Sequence, residues 1–130
     1  MPHIHLDYSQ NLASRLDISG LAAALRDAAM STGVFPLAGL RIRAITADHT
    51  LVADGNPDHA YLDVIIRIGA GRDQATKTRA IDAIFAAAAR YCQPTMDSSS
   101  FMLSMELREI DAQLTRKSSS IRKYLAGDAP

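Results

Sequence analysis

Three groups of residues in this 130-residue chain have types and spacings suited to proton transfer on an anionic molecule. The first is Met1-Pro2-His3. Methionine ahead of proline is ordinarily removed, which leaves the Pro2 nitrogen as a secondary amine. An unperturbed α-amino group titrates near ~8. Burial beside apolar side chains and cations moves it towards neutrality, where a nitrogen base suits general acid–base work. With Met1 retained the same nitrogen is an amide and no base, and proline at position 2 is also common without any such role. The second group is Arg41 and Arg43 in Leu40-Arg41-Ile42-Arg43. Residues two apart on a strand share a face, and two guanidinium forks side by side clamp a carboxylate. The plainer alternative is a pair of surface arginines bound to acids. The third is Gly69-Ala70-Gly71-Arg72, between a strand and a helix start. Free amides and the helix dipole attract anions there, and Arg72 adds a full charge, although the run in isolation reads as a tight turn. It is neither a dinucleotide fingerprint nor a P-loop, since the further glycine and the Gly-Lys-Ser/Thr are missing.

Other residues carry weaker signals. His3 and His5 share a strand face, but two histidines without a further Cys, His or Asp cluster make a poor metal site, so no metal is expected. Cys92 near a helix end reads as a small buried apolar residue. Ser98-Ser99-Ser100 reads as a loop, with no nucleophile elbow around it. Met102 and Met105 read as packing residues, and Glu106 as a partner for an arginine.

Elements that would position these residues follow from periodicity. Residues 3–8 alternate, with Ile4, Leu6 and Tyr8 on one face, so a strand starts almost at the first residue. Asp17 or Ser19 caps a helix from about residue 20 to 32, with Leu21, Ala24, Leu25, Ala28 and Ala29 as its apolar stripe and Gly33 beyond its end. Residues 40–45 alternate as a second strand, and a hairpin over 46–53 is possible before the turn Asp54-Gly55-Asn56-Pro57-Asp58. Residues 60–68 form the most hydrophobic strand. A helix follows from about 73 to 91, with Pro94 ending or bending it. Residues 101–110 alternate as a fourth strand, and 121–125 form a short helix after the serine run 118–120. Strand–helix–strand therefore occurs twice, as two βαβ units in an α+β domain. The units span about 1–50 and 58–112, with a tail over 113–130, all in one domain. Ile45 and Ile65 lie opposite the Ala44 and Val64 sets, so a sheet covered by helices on one side keeps apolar groups on the other. That pattern predicts a second copy packed there.

Bulk properties set limits. Fourteen basic and 14 acidic residues cancel, so there is no global attraction to nucleic acid or to an anionic membrane surface. One cysteine cannot form an intramolecular disulfide, which fits a reducing cytoplasm. No run approaches the roughly 20 apolar residues that span a bilayer, and the N-terminus has no signal-peptide pattern.

Met1-Pro2-His3, Gly33-Val34-Phe35-Pro36-Leu37-Ala38-Gly39-Leu40-Arg41-Ile42-Arg43 and Ile68-Gly69-Ala70-Gly71-Arg72 together resemble the 5-carboxymethyl-2-hydroxymuconate isomerase family of the tautomerase superfamily. The likeness runs through nearly the whole chain in order and spacing. It implies a tautomerase-like fold in which a four-stranded sheet carries its helices on one face and assembles as a homotrimer. It also implies an isomerase of homoprotocatechuate breakdown that converts a dienol to an α,β-unsaturated ketone without metal or organic cofactor. Carried over by position, Pro2 is the catalytic acid/base, and Arg41, Arg43 and Arg72 bind a carboxylated small-molecule substrate. There is no proline at the start of the second unit, near His59-Ala60, so one site per chain is implied. The tail departs from the family where Ser118-Ser119-Ser120 stands in place of an asparagine-containing stretch. Three other readings fit the pattern: the same proline chemistry on another keto acid, a non-catalytic ferredoxin-like module that binds a small acid, and a trimeric structural protein with a dead site.

Overall fold

Alternating apolar residues build the sheet, and the computed structural model describes residues 2–126. Strand β1 (His3–Tyr8) is followed by helix α1 (Ile18–Ser31), strands β2 (Arg41–Thr46) and β3 (Ala60–Gly69), helix α2 (Gln74–Ser98) and strand β4 (Phe101–Ile110). Met1 and residues 127–130 of the tail lie outside the described residues. The strand order is β2-β1-β3-β4. β1 runs parallel to β2, β3 parallel to β4, and the two inner strands β1 and β3 are antiparallel.

Ile4 and Leu6 of β1 and Leu62, Val64, Ile66 and Ile68 of β3 are fully or almost fully buried on one face. They pack against Leu21, Leu25 and Ala29 of α1 and Ala80, Ile84 and Ala88 of α2. Each of the leucine, isoleucine and valine side chains contributes about 1.5–3 kcal/mol by leaving water, so this layer is what holds both helices on the same side. Asp17 caps α1 by accepting the Ser19 N–H at 3.1 Å, and Asp73 caps α2 by accepting the Thr76 N–H at 2.8 Å. Gly33 takes φ +68° just beyond α1, where a side chain would be strained. The helices meet closely at Gly20. A Cβ there would collide with the Tyr91 hydroxyl, which donates to the Asp17 carbonyl at 2.9 Å.

Four sequence expectations change. The helix expected over about 73 to 91 runs through Pro94 to Ser98. Cys92 and Thr95, both buried, lie on either side of the proline and tie that turn to the core, while the Ser99 N–H bonds the Thr95 carbonyl at 3.0 Å. No hairpin forms over 46–53. Residues 47–59 are an irregular loop whose carbonyls are met by side chains instead of a strand: Gln10 donates to Ala47 at 3.2 Å, and Asn11 to Pro57 at 3.0 Å and His59 at 2.8 Å. The helix expected near the C-terminus is a single 3-10 turn, Ile121–Tyr124. Finally, a split βαβ arrangement would place a foreign strand between the two strands of each unit. Here β1 neighbours β2 and β3 neighbours β4, which removes the ferredoxin-like topology.

The uncovered sheet face is more polar than its isoleucines suggested. Ile45 and Met102 are more than half exposed on it, but the register sets His3 and His5 beside Arg41, Arg43 and Arg67 at one end. At the other end Tyr61 donates to Asp7 at 2.8 Å and Ser104 to Asp63 at 2.8 Å. The face is therefore basic where β1 begins and acidic where it ends.

Candidate active site

Pro2 immediately precedes the inner strand β1 and follows its alternation, so its ring lies with Ile4 and Leu6 on the helix-covered side and is fully buried. Its carbonyl accepts the Arg41 backbone N–H at 3.1 Å, which sets the start of β2 beside the start of β1. Antiparallel pairing of His3 with Arg67 brings the end of β3 to the same edge. Arg72 lies just past that end. Its guanidinium donates to the carbonyls of Gly69 (3.0 Å) and Val34 (3.2 Å) and stacks 5.4 Å from the centre of the Phe35 ring. The loop before α2 is thereby tied to the segment after α1. Pro2, Arg41 and Arg72 thus share one end of the sheet. Arg43 sits one alternation further along β2, exposed and paired in register with His5.

Positive charge dominates this corner. His3 touches the Arg41 guanidinium through its Nε2 and lies between Arg41 and Arg67 in register. Burial first, and then Arg41, Arg67 and His5, push its imidazole down to about 4. His5 is lowered in the same direction by burial, Arg43 and Arg67. Both rings are thus neutral at pH 7 and can accept a hydrogen bond, and the His5 Nε2 is buried with no partner among the described residues. Among the described residues no carboxylate lies within ion-pair distance of Arg41, Arg43, Arg67 or Arg72. The acids that do pair sit elsewhere, such as Glu106 with Arg108 at 2.9 Å.

At the outer end of β2 a groove of about 510 Å³ opens between Pro36, Ala38, Gly39 and Arg41 on one side and residues Lys117–Arg122 of the tail on the other. Of the four expected site residues, Arg41 alone lines it. Pro2 is joined to it through the backbone bond to Arg41, while Arg43 and Arg72 flank that strand end from the open face and from the α2 start. Sequence reasoning missed Arg67 and the tail cations Lys117 and Arg122. Arg67 was findable as the one charge in Ile65-Ile66-Arg67-Ile68. The tail was not, because only tertiary placement brings it to β2.

The remaining candidates play other parts. Cys92 is buried among apolar groups, which raises its thiol to about 11 and keeps it protonated. Among the described residues no group of three or more His, Cys, Asp or Glu side chains converges. Ser100 and Asp54 sandwich His59, with Oγ to Nδ1 at 2.6 Å and Nε2 to Oδ1 at 2.7 Å, and so pin the 47–59 loop to the start of β4. This cluster lies at the far end of the sheet from Pro2. No helix among the described residues is long and apolar enough to cross a membrane.

Comparison with known proteins follows the same geometry. The family model described as 5-carboxymethyl-2-hydroxymuconate isomerase matches residues 2–125. The 5-carboxymethyl-2-hydroxymuconate Delta-isomerase of Escherichia coli is 32% identical over 121 residues, covering 93% of this chain and 96% of that protein. A crystal structure of a 5-carboxymethyl-2-hydroxymuconate delta-isomerase superposes with a TM-score of 0.89 at 26% identity, covering 98% of this chain and 95% of the other. The corresponding isomerase from Deinococcus radiodurans R1 gives 0.87 at 30% identity, covering 95% and 92%. The model match spans nearly the whole chain, and with it the strand ends that carry Pro2, Arg41 and Arg72: the chain belongs to the 5-carboxymethyl-2-hydroxymuconate isomerase family.

Proposed function

We propose that this chain isomerises 5-carboxymethyl-2-hydroxymuconate to its 2-oxo-3-ene form in homoprotocatechuate breakdown, with the amine of Pro2 as the proton carrier. One observation carries the reading: the first residue of the Met-excised chain enters an inner strand and is bonded through its carbonyl to the Arg41 backbone. A chain-terminal nitrogen is thereby held beside cations in a fixed place. The hydroxyl proton leaves the oxygen on C2, and that oxygen becomes the carbonyl. The double bonds at C2–C3 and C4–C5 collapse to one at C3–C4, and a proton arrives at C5. Pro2 as free amine takes the first proton and as ammonium delivers the second, so it ends the cycle unchanged. Arg41, Arg43 and Arg72 hold the substrate carboxylates and stabilise the dienolate charge as it forms. The same cations, with the buried ring, disfavour the ammonium and keep the amine ready.

A homotrimer is part of this reading. The uncovered face is basic at one end and acidic at the other, and it carries the exposed Ile45 and Met102. Such a face complements a copy of itself turned head to tail. Light scattering at three times the 14.0 kDa chain mass is the expected result, and a monomer would refute it.

Intact mass, followed by the ultraviolet absorbance change on ketonisation, tests the chemistry. The expected outcome is a chain lacking Met1, active as purified, and at least ~100-fold slower after N-terminal acetylation or as Pro2→Ala, the range of a lost acid–base group. Full activity in the acetylated protein would reject the proline mechanism.

A further inference from the structure

We propose that the C-terminal tail supplies a carboxylate subsite, in which Lys117 and the hydroxyls of Ser118 and Ser120 hold the carboxymethyl arm of the substrate across the groove from Arg41. The proposal rests on the isomerase reading above and adds specificity-determining residues to it.

The groove is one-sided in charge. Arg41 faces it from β2 and Lys117 faces it from the tail, and none of the described residues that line it is acidic. Neither Arg41 nor Lys117 has a carboxylate within ion-pair distance among the described residues, and Lys117 makes no hydrogen bond there. Cations gathered without a counter-ion repel one another, and a bound anion relieves that cost. The tail is also held in place. The Ser119 hydroxyl accepts the Ile121 N–H at 3.1 Å and fixes the turn. Ile121 and Leu125 reach a neighbouring depression beside Leu37, Leu40 and Ile42. Ser119 is thus occupied, while the hydroxyls of Ser118 and Ser120 have no partner among the described residues and remain available as donors.

The division of labour follows from the ligand's shape. A muconate bearing a carboxymethyl group has three carboxylates. Two are conjugated to the diene and locked in its plane, which suits the rigid guanidinium fork. The third hangs on a methylene and rotates, which suits an ammonium on a flexible stem with hydroxyls beside it.

Steady-state kinetics on two substrates provide the test: 5-carboxymethyl-2-hydroxymuconate, and 2-hydroxymuconate, which lacks the arm. Where the second compound is not turned over, its competitive inhibition constant takes the place of its KM. Lys117→Met is expected to lower kcat/KM for the first about 10- to 100-fold, the range of a charged hydrogen bond. The loss should fall on KM, with kcat within about twofold. The same variant should leave the compound without the arm within twofold, Lys117→Arg should restore most of the loss, and Ser118→Ala with Ser120→Ala should give a smaller loss of the same selectivity. Equal losses on both compounds, or none on either, would overturn the subsite while leaving the isomerase intact. A wild-type protein inactive on both, with Met1 removed, would instead bring down the isomerase reading and the subsite with it.

Discussion

Replacing Arg41 by methionine separates what its side chain does from what its backbone does. The main-chain N–H that bonds the Pro2 carbonyl at 3.1 Å survives the change, so the start of β2 stays in register. The residue is exposed, and exposed positions usually shift stability by no more than about 0.5 kcal/mol. The fork itself has no carboxylate partner among the described residues. Its loss should therefore appear in substrate binding, at about 1.5–3 kcal/mol for a charged hydrogen bond, a fall of roughly 10- to 150-fold in kcat/KM. A second readout needs no substrate. Arg41 follows burial as the next cause holding the His3 imidazole down at about 4. Removing that charge should raise the His3 pKa by up to about one unit, a neighbouring cation being worth about 1 kcal/mol at 4 Å in water. Burial, Arg67 and His5 remain, so it should stay below 6.5. Turnover measurements and NMR titration of the imidazole check both. Turnover within twofold of wild type would refute the clamp, and an unmoved His3 would refute the electrostatic account of the corner.

Further expectations concern the scaffold. The His3 pKa is lower in the folded chain than the ordinary 6.5, so the unfolded chain binds the proton more readily. Its contribution to stability is complete above pH 6.5 and is lost as pH falls towards 4; urea melts of His3→Gln should show a shallower acid loss than wild type over that window, and identical slopes would contradict this. Gly20→Ala pushes into the Tyr91 hydroxyl and should cost about 1–3 kcal/mol in thermal or urea unfolding, whereas an unchanged melting temperature would mean the helices have room to part. Pro94→Ala supplies the N–H that the Arg90 carbonyl lacks on the exposed side of α2 and should stabilise by about 1–3 kcal/mol; a lower melting temperature would show that the proline acts mainly by restricting the unfolded chain.

Most of the framework was readable in the sequence because period-2 alternation is strong wherever one face is buried. Ile4 and Leu6, and Leu62 through Ile68, announced β1 and β3 almost to the residue. The cap at Asp17 carried its own local chemistry, while Asp73, expected as the first residue of its helix, caps it instead. The helix passes its expected end near Tyr91 because Cys92 and Thr95, buried on either side of Pro94, hold that turn to the core. The character of the open face was misjudged since Ile45 and Ile65 were weighed without the charged neighbours that only the register brings alongside. Pro2, Arg41 and Arg72 were visible as single residues, and their meeting at one sheet end depends on the antiparallel join of β1 to β3. The tail's arrival at Arg41 joins residues some 75 positions apart, a contact that no local pattern encodes.

The doubled strand–helix–strand plan gives the domain two geometrically similar corners, and only one is equipped. Where the first unit puts His3 against Arg41, the second puts Tyr61 against Met102. Where the first puts His5 against Arg43, the second closes Asp63 on Ser104. The nitrogen that would match Pro2 there is locked in a peptide bond, and the Asp54–His59–Ser100 contact fastens that stretch down. A guanidinium moved to the duplicate corner would find no free chain-terminal amine beside it.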